Sequence, residues 1–162
     1  MNRPLQFLLL LGAIAIYLGC TSPQAAKSEA PLRQLAFEQL DTLMREAPRP
    51  IAVFFHTDWC GYCANMKQTT FKNKAVVNAL NEGYYFVSFD AESERPVQFN
   101  GQGFVFEAQG RKQGVHQLAK ALGSIEGQLQ YPTFVLLNTQ YEIIFQMGSF
   151  LSAEQLLAVL NQ

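Results

Sequence analysis

The chain reads as an α/β domain with a central mixed sheet flanked by helices, and three features carry that reading. From residue 33 onward helical and strand periodicities alternate, an order that makes the sheet partly parallel and covers both its faces with helices. The wholly apolar run Ile51-Ala52-Val53-Phe54-Phe55 is the pattern of a strand buried on both sides. The last third holds two apolar runs around a polar turn, an antiparallel pair, and then one more helix. At 162 residues, 49% hydrophobic and 15% charged, the chain can bury one real core without disulfide staples. Its formal net charge of −1 gives no reason to expect a nucleic-acid partner, which would normally call for a basic face.

Taken in order, Leu35, Phe37, Leu40, Leu43 and Met44 recur at helical spacing, and Pro48 and Pro50 stop that helix ahead of the strand over 50–55. A helix follows from Cys63 through Met66 to Thr69. Another covers 74–81 with Gly83 as its stop, and 84–90 reads as a strand. Residues 97–106 alternate apolar and polar around Asn100-Gly101, a strong hairpin signal, and form an inserted hairpin within 96–114. That hairpin either selects partners beside the active site or covers the sheet edge. Residues 115–122 read as a helix ended by Gly123. Phe134–Leu137 and Glu142–Met147 pair around Asn138-Thr139-Gln140, and Ser152 caps a last helix to Leu160.

Chemistry concentrates in Trp59-Cys60-Gly61-Tyr62-Cys63. Two thiols spaced C-x-x-C after a strand and at the start of a helix can form and break a disulfide within one turn. At a helix N-terminus the free backbone N–H groups and the dipole favour a thiolate, which makes Cys60 the attacking sulfur and Cys63 the buried resolving thiol. Two other readings stay open. A zinc site needs four ligands, and beyond the pair only Cys20, His56 and His116 remain. Two inert buried cysteines would have no need of a helix start, nor of Trp59 and Gly61 beside them. Lys67, Lys72 and Lys74 read as a solvated face, and His116 as a surface or packing histidine.

This segment resembles the active site of the thioredoxin superfamily, W-C-x-x-C after a hydrophobic strand. Tyr131-Pro132-Thr133, opening the run Phe134-Val135-Leu136-Leu137, stands where that superfamily has a cis-proline opposite the cysteines. The resemblance covers residues 33–162 and implies a thioredoxin fold, with the inserted hairpin between the C-x-x-C half and the cis-Pro half. It also implies a thiol:disulfide oxidoreductase whose catalytic pair is Cys60 and Cys63. The substrate groove would be lined by Trp59, Gly61, Tyr62, Tyr131, Pro132 and Thr133, and the redox-active disulfide would take the place of a cofactor, with no metal. The chain departs from the family where a buried Asp normally lies six residues before the first cysteine, since Phe54 stands there. His56 and Asp58 are then the nearest candidates for proton transfer. In an extended strand they share one face, and Asp58 could instead cap the following helix. Cys-Gly-Tyr-Cys resembles the motif of the periplasmic disulfide isomerase, although an isomerase usually adds an N-terminal dimerisation domain.

The N-terminus resembles a bacterial lipoprotein signal: Met1-Asn2-Arg3-Pro4, an apolar stretch from Leu5 to Leu18, then Gly19-Cys20. Tyr17 and Leu18 depart from the usual lipobox. As a membrane-spanning anchor the stretch falls short of the ~20 residues a helix needs. Residues 1–19 are therefore expected to be a signal peptide, 20–32 a lipidated Cys20 with a flexible tether, and 33–162 the domain. The implied setting is the cell envelope, anchored to the bilayer through Cys20 and facing the periplasm. Exported proteins with disulfides or thiols would be substrates, and a membrane thiol:disulfide protein would supply electrons. Reduction of protein disulfides is the expected direction, with isomerase or oxidase as alternatives. A non-catalytic binding module and a haem- or metal-delivery accessory are the readings from other classes.

Overall fold

The computed structural model describes residues 30–110 and 113–162. Residues 1–29, with Cys20, the expected signal peptide and most of the expected tether, lie outside the described residues. The centre of the sheet is β1 (Ile51–His56), buried along its whole length because no polar side chain interrupts it before His56. It pairs in parallel with β2 (Tyr85–Asp90) on one side and antiparallel with β7 (Thr133–Leu137) on the other, and β7 pairs antiparallel with the edge strand β8 (Ile143–Met147). The order β2-β1-β7-β8 is the mixed sheet the sequence implies.

Alternation along β1 divides the interior into two cores. Ile51, Val53 and Phe55 pack with Phe37, Leu40 and Met44 of α1 (Phe37–Glu46) and with Leu118 and Ala119 of α4 (Gln117–Gly123). Ala52 and Phe54 face the other way, toward α2 (Gly61–Gln68), α3 (Lys74–Gly83) and α5 (Ala153–Leu160). Both cysteines belong to this second core. Helix starts are set by local chemistry: Asn73 accepts from the Ala75 and Val76 amides, and Ser152 and Gln155 cap each other reciprocally at α5. At the other end of the domain, Leu35 donates its N–H to Phe86 and Arg33 to Asn81, so the chain runs along the outer edge of β2.

The Asn-Gly hairpin forms from β3 (Val97–Phe99) and β4 (Gln102–Phe104). Asn100 and Gly101 both have positive φ, +50° and +70°, as a two-residue primed turn requires. The Asp41 carboxylate of α1 accepts the Asn100 amide at 2.8 Å, and the Phe99 ring lies edge-on to Phe37 and Tyr141. Val97 and Phe99 are buried in the α1 core, on the opposite face of the sheet from the cysteines. The insertion therefore covers a core.

One element differs from the sequence reading. Residues 114–116 are not the start of a helix but strand β6 (Gly114–His116), paired with β5 (Phe106–Ala108), and α4 starts only at Gln117. Val115, Leu118 and Leu122 have helical spacing, so a three-residue strand running into a helix is indistinguishable from a longer helix by periodicity alone. Gly114 is needed by this pairing, because a Cβ there would lie 2.2 Å from the Phe106 ring and 2.5 Å from the Glu107 carbonyl oxygen. His116 is fully buried and caps α4. Its Nδ1 accepts from the Leu118 amide, its Nε2 donates to the Arg95 carbonyl, and its ring meets Phe89 edge-on, so it is a packing histidine.

Phe99→Ala is expected to lower unfolding stability by about 3 kcal/mol, measured by denaturant titration, because it leaves a hole under α1. Turnover of a disulfide substrate at a temperature where the variant remains folded should equal wild type. A selective loss of turnover would show that the hairpin acts in recognition after all.

Candidate active site at the start of the second helix

Because β1 ends at His56, the chain turns through Thr57–Trp59 and enters α2 at Cys60. Cys60 is itself the cap: its Sγ accepts the Cys63 backbone N–H at 3.1 Å. A helix leaves its first amides without partners, and here one of them points at sulfur, where it favours negative charge. Cys60 and Cys63 are joined, with S–S 2.06 Å and Cα–Cα 5.2 Å. Cys60 is 6% exposed and Cys63 1%, so an incoming group reaches Cys60 first. A side chain at Gly61 would meet open space, which places position 61 on the rim.

Aromatic side chains surround this pair. Trp59 is 69% exposed, and its indole Nε1 donates to both oxygens of Glu92 at 3.1 Å each. Its ring stands edge-on to Tyr131, with centroids 5.9 Å apart, which ties the loop before β7 to the motif. The Tyr131–Pro132 bond is cis, Pro132 and Thr133 are buried, and the Thr133 hydroxyl donates to the Gln130 carbonyl at 2.7 Å. The Tyr131 hydroxyl is buried with no partner among the described residues. Burial first, and then the carboxylates of Glu92 and Asp90, push its pKa up to about 12. Tyr62, 68% exposed, leans toward Phe150 at 6.5 Å. Of the groove residues named from sequence, Trp59, Gly61 and Tyr62 flank the cysteines in the chain and Tyr131 reaches Trp59, and the structure adds two that the sequence did not suggest, Glu92 and Phe150. Neither carries a local signal, being 33 and 88 residues from the side chains they meet.

At the position of the missing carboxylate, Phe54 is fully buried with its ring 4.8 Å from Phe71, so carbon fills that space. The two proton-transfer candidates do not share a face. Asp58 lies in the turn after β1 and is exposed, and it does not cap α2, since Cys60 does. His56 is 7% exposed and inside, with Nδ1 3.1 Å from the Lys67 ammonium. Burial, and then Lys67, lower its pKa to about 4 against the opposing pull of Asp90 and Asp58, so it is neutral at pH 7. Lys67 therefore does more than face solvent. Its side chain is exposed, as the sequence reads it, and its spacing of four from Cys63 was the available sign that its ammonium can reach back toward the end of β1. Among the described residues no group of three or more His, Cys, Asp or Glu side chains could hold a metal ion, and no helix is long and apolar enough to cross a membrane.

A four-stranded mixed sheet with helices on both faces and a vicinal cysteine pair capping a helix defines a thiol:disulfide oxidoreductase of the thioredoxin class. Residues 37–162 match the thioredoxin-like domain family, and the chain belongs to it. The fold is similar to that of a thioredoxin from Thermus thermophilus, at 20% identity and TM-score 0.58 over 82% of this chain and 87% of that one. It is also similar to DsbH oxidoreductase, at 19% identity and TM-score 0.56 over 88% and 89% of the two chains. A third similar structure is the oxidised C-terminal domain of Neisseria meningitidis DsbD, at 18% identity and TM-score 0.51 over 80% and 98%. No curated protein matches the chain in sequence at a significant level.

The His56 environment makes a signed prediction. Between its ordinary pKa of 6.5 and the folded value of about 4, the unfolded chain binds a proton that the native state refuses. Stability should be fully present above pH 6.5 and fall as the pH drops toward 4. His116, also lowered by burial, adds the same sign. His56→Gln should flatten this acid-side slope in denaturant titrations at pH 7 and 4.5; an unchanged slope would contradict the buried neutral imidazole.

Proposed function

We propose that this protein reduces disulfides of exported proteins in the bacterial cell envelope, held at the membrane by a lipid on Cys20. The observation that supports the chemistry most directly is the Cys63 amide on Cys60 Sγ at the mouth of an otherwise buried pair. In the reduced protein the Cys60 thiolate attacks one sulfur of a substrate disulfide. A mixed disulfide forms on Cys60 and the first substrate thiolate leaves. The Cys63 thiolate then attacks Cys60 Sγ, the Cys60–Cys63 disulfide closes, and the second substrate thiolate leaves, so two electrons have passed to the substrate. Trp59, Gly61, Tyr62 and Tyr131 form the surface against which the substrate chain lies, with the buried Pro132 and Thr133 behind Tyr131.

Proton exchange in this reading runs through water at the exposed rim. Phe54 offers no acceptor, and Nδ1 of His56 is already taken by Lys67. Reduction in an oxidising compartment consumes electrons continuously, so a membrane thiol:disulfide protein would have to re-reduce the pair.

The deciding measurement is the redox state of Cys60 and Cys63 in living cells, fixed by acid quench and alkylation and read by gel shift. A mostly reduced pair is expected; a mostly oxidised pair would reverse the direction to oxidation or make the disulfide static. In vitro, Cys60→Ser should abolish cleavage of insulin disulfides, while Cys63→Ser should accumulate mixed disulfides visible on non-reducing gels. Palmitate labelling should be lost in Cys20→Ala, and a labelled Cys20→Ala protein would refute the anchor.

A further inference from the structure

Next to the redox pair, but not lined by either cysteine, is a cavity of about 900 Å³ between the end of β1, the end of α2, the start of α3 and the outer edge of β2. Its polar lining includes His56, Lys67, Lys72 and Ser88, and Phe71 and Phe86 give it an apolar wall. Lys74 lies on the rim as a further cation, and no Asp or Glu lines the cavity among the described residues. The carboxylates that act on His56, Asp90 across the β1–β2 pair and Asp58 in the turn, are outside that lining.

The Lys67–His56 contact fixes what the cavity offers. An ammonium has only protons to give, so Lys67 Nζ donates to His56 Nδ1, and the proton of the neutral imidazole sits on Nε2. No described group accepts from that Nε2, and it is not one of the enclosed polar atoms left without a partner, which among the described residues are Thr57 Oγ1 and the Tyr131 hydroxyl, so it is open to the cavity that His56 lines. A donor open to the cavity is free to meet a ligand acceptor, and a charged acceptor makes the stronger hydrogen bond. Lys67 and Lys72, both exposed, have no carboxylate partner among the described residues, so two solvated ammonium groups stand at the cavity with no protein counter-charge.

We propose that this cavity binds a small carboxylate with an apolar body, its head held by His56 Nε2–H and the ammonium groups of Lys67 and Lys72, and its body against Phe71 and Phe86. The site is separate from the substrate groove and does not depend on the direction of the redox reaction. An ordered apolar wall distinguishes it from a patch that attracts any anion, and an inorganic ion would leave that wall empty.

The test is a titration of the full-length protein with phenylacetate, and in parallel with inorganic phosphate as a head without a body. The His56 imidazole resonances in NMR spectra are the readout. Saturable shifts with phenylacetate are expected, with binding at least about tenfold weaker for phosphate, which corresponds to about 1.4 kcal/mol. Lys72 is exposed on the 3₁₀ turn Thr70–Lys72, so Lys72→Glu should fold normally. It should lose phenylacetate binding about tenfold or more while insulin reduction without phenylacetate stays at the wild-type rate, and Lys72→Arg should retain binding. Imidazole signals that do not move, equal affinity for phosphate, or wild-type binding by Lys72→Glu would each overturn the proposal.

Discussion

Strand β1 has no solvent face, and the rest of the structure is arranged by that constraint. Alternate side chains must leave it on opposite sides, so Ile51, Val53 and Phe55 require one helical layer and Ala52 and Phe54 another. Burying rings such as Phe54 and Phe55 contributes about 2–3 kcal/mol each relative to leaving them in water. That gain fixes the strand between β2 and β7 and so fixes where it ends. The helix that follows has to begin at the strand's C-terminal edge, where Cys60 turns an unpaired helix amide toward its own sulfur. The chemistry is thus a consequence of how the sheet terminates.

Around the disulfide the protein separates two kinds of surface. Inward, Cys63 sits among Phe54, Met66 and Phe134, and among the described residues no Asp, Glu, Lys or Arg is buried. Outward, Trp59 and Tyr62 are largely exposed, and the Glu92 carboxylate holds the indole while Tyr131 supports it from the side. An exposed ring held by a hydrogen bond loses less freedom on docking than a free one, so the rim is prepared for a polypeptide before one arrives. The apolar interior and the fixed rim together leave the sulfur of Cys60 as the reactive point in reach.

The segment between β2 and α4 is two short hairpins, and both are resolved by packing on the face away from the cysteines. Phe99 reaches Phe37 and Tyr141, the Asp41 carboxylate closes on the turn amide, and Gly114 lets β6 lie against Phe106. Three-residue strands have little stability of their own, so these contacts, and not the ladders, hold the hairpins in place.

The sequence by itself determined the features whose cause is local. The unbroken apolar run of β1, the C-x-x-C pair at a helix start, Asn100-Gly101 with its two positive φ angles, and the reciprocal cap of Ser152 and Gln155 each depend on residues a few positions apart. The mixed sheet followed from their order. The tertiary structure alone decided which side the insertion covers, that 114–116 pair as a strand, and that Asp58 points outward while His56 is buried against Lys67. It also decided that Glu92 holds Trp59 and Phe150 meets Tyr62. These are contacts between side chains remote in sequence. Periodicity reports which face of an element is apolar, but not which distant residue will be brought against it, because that is fixed only when the two cores close around β1.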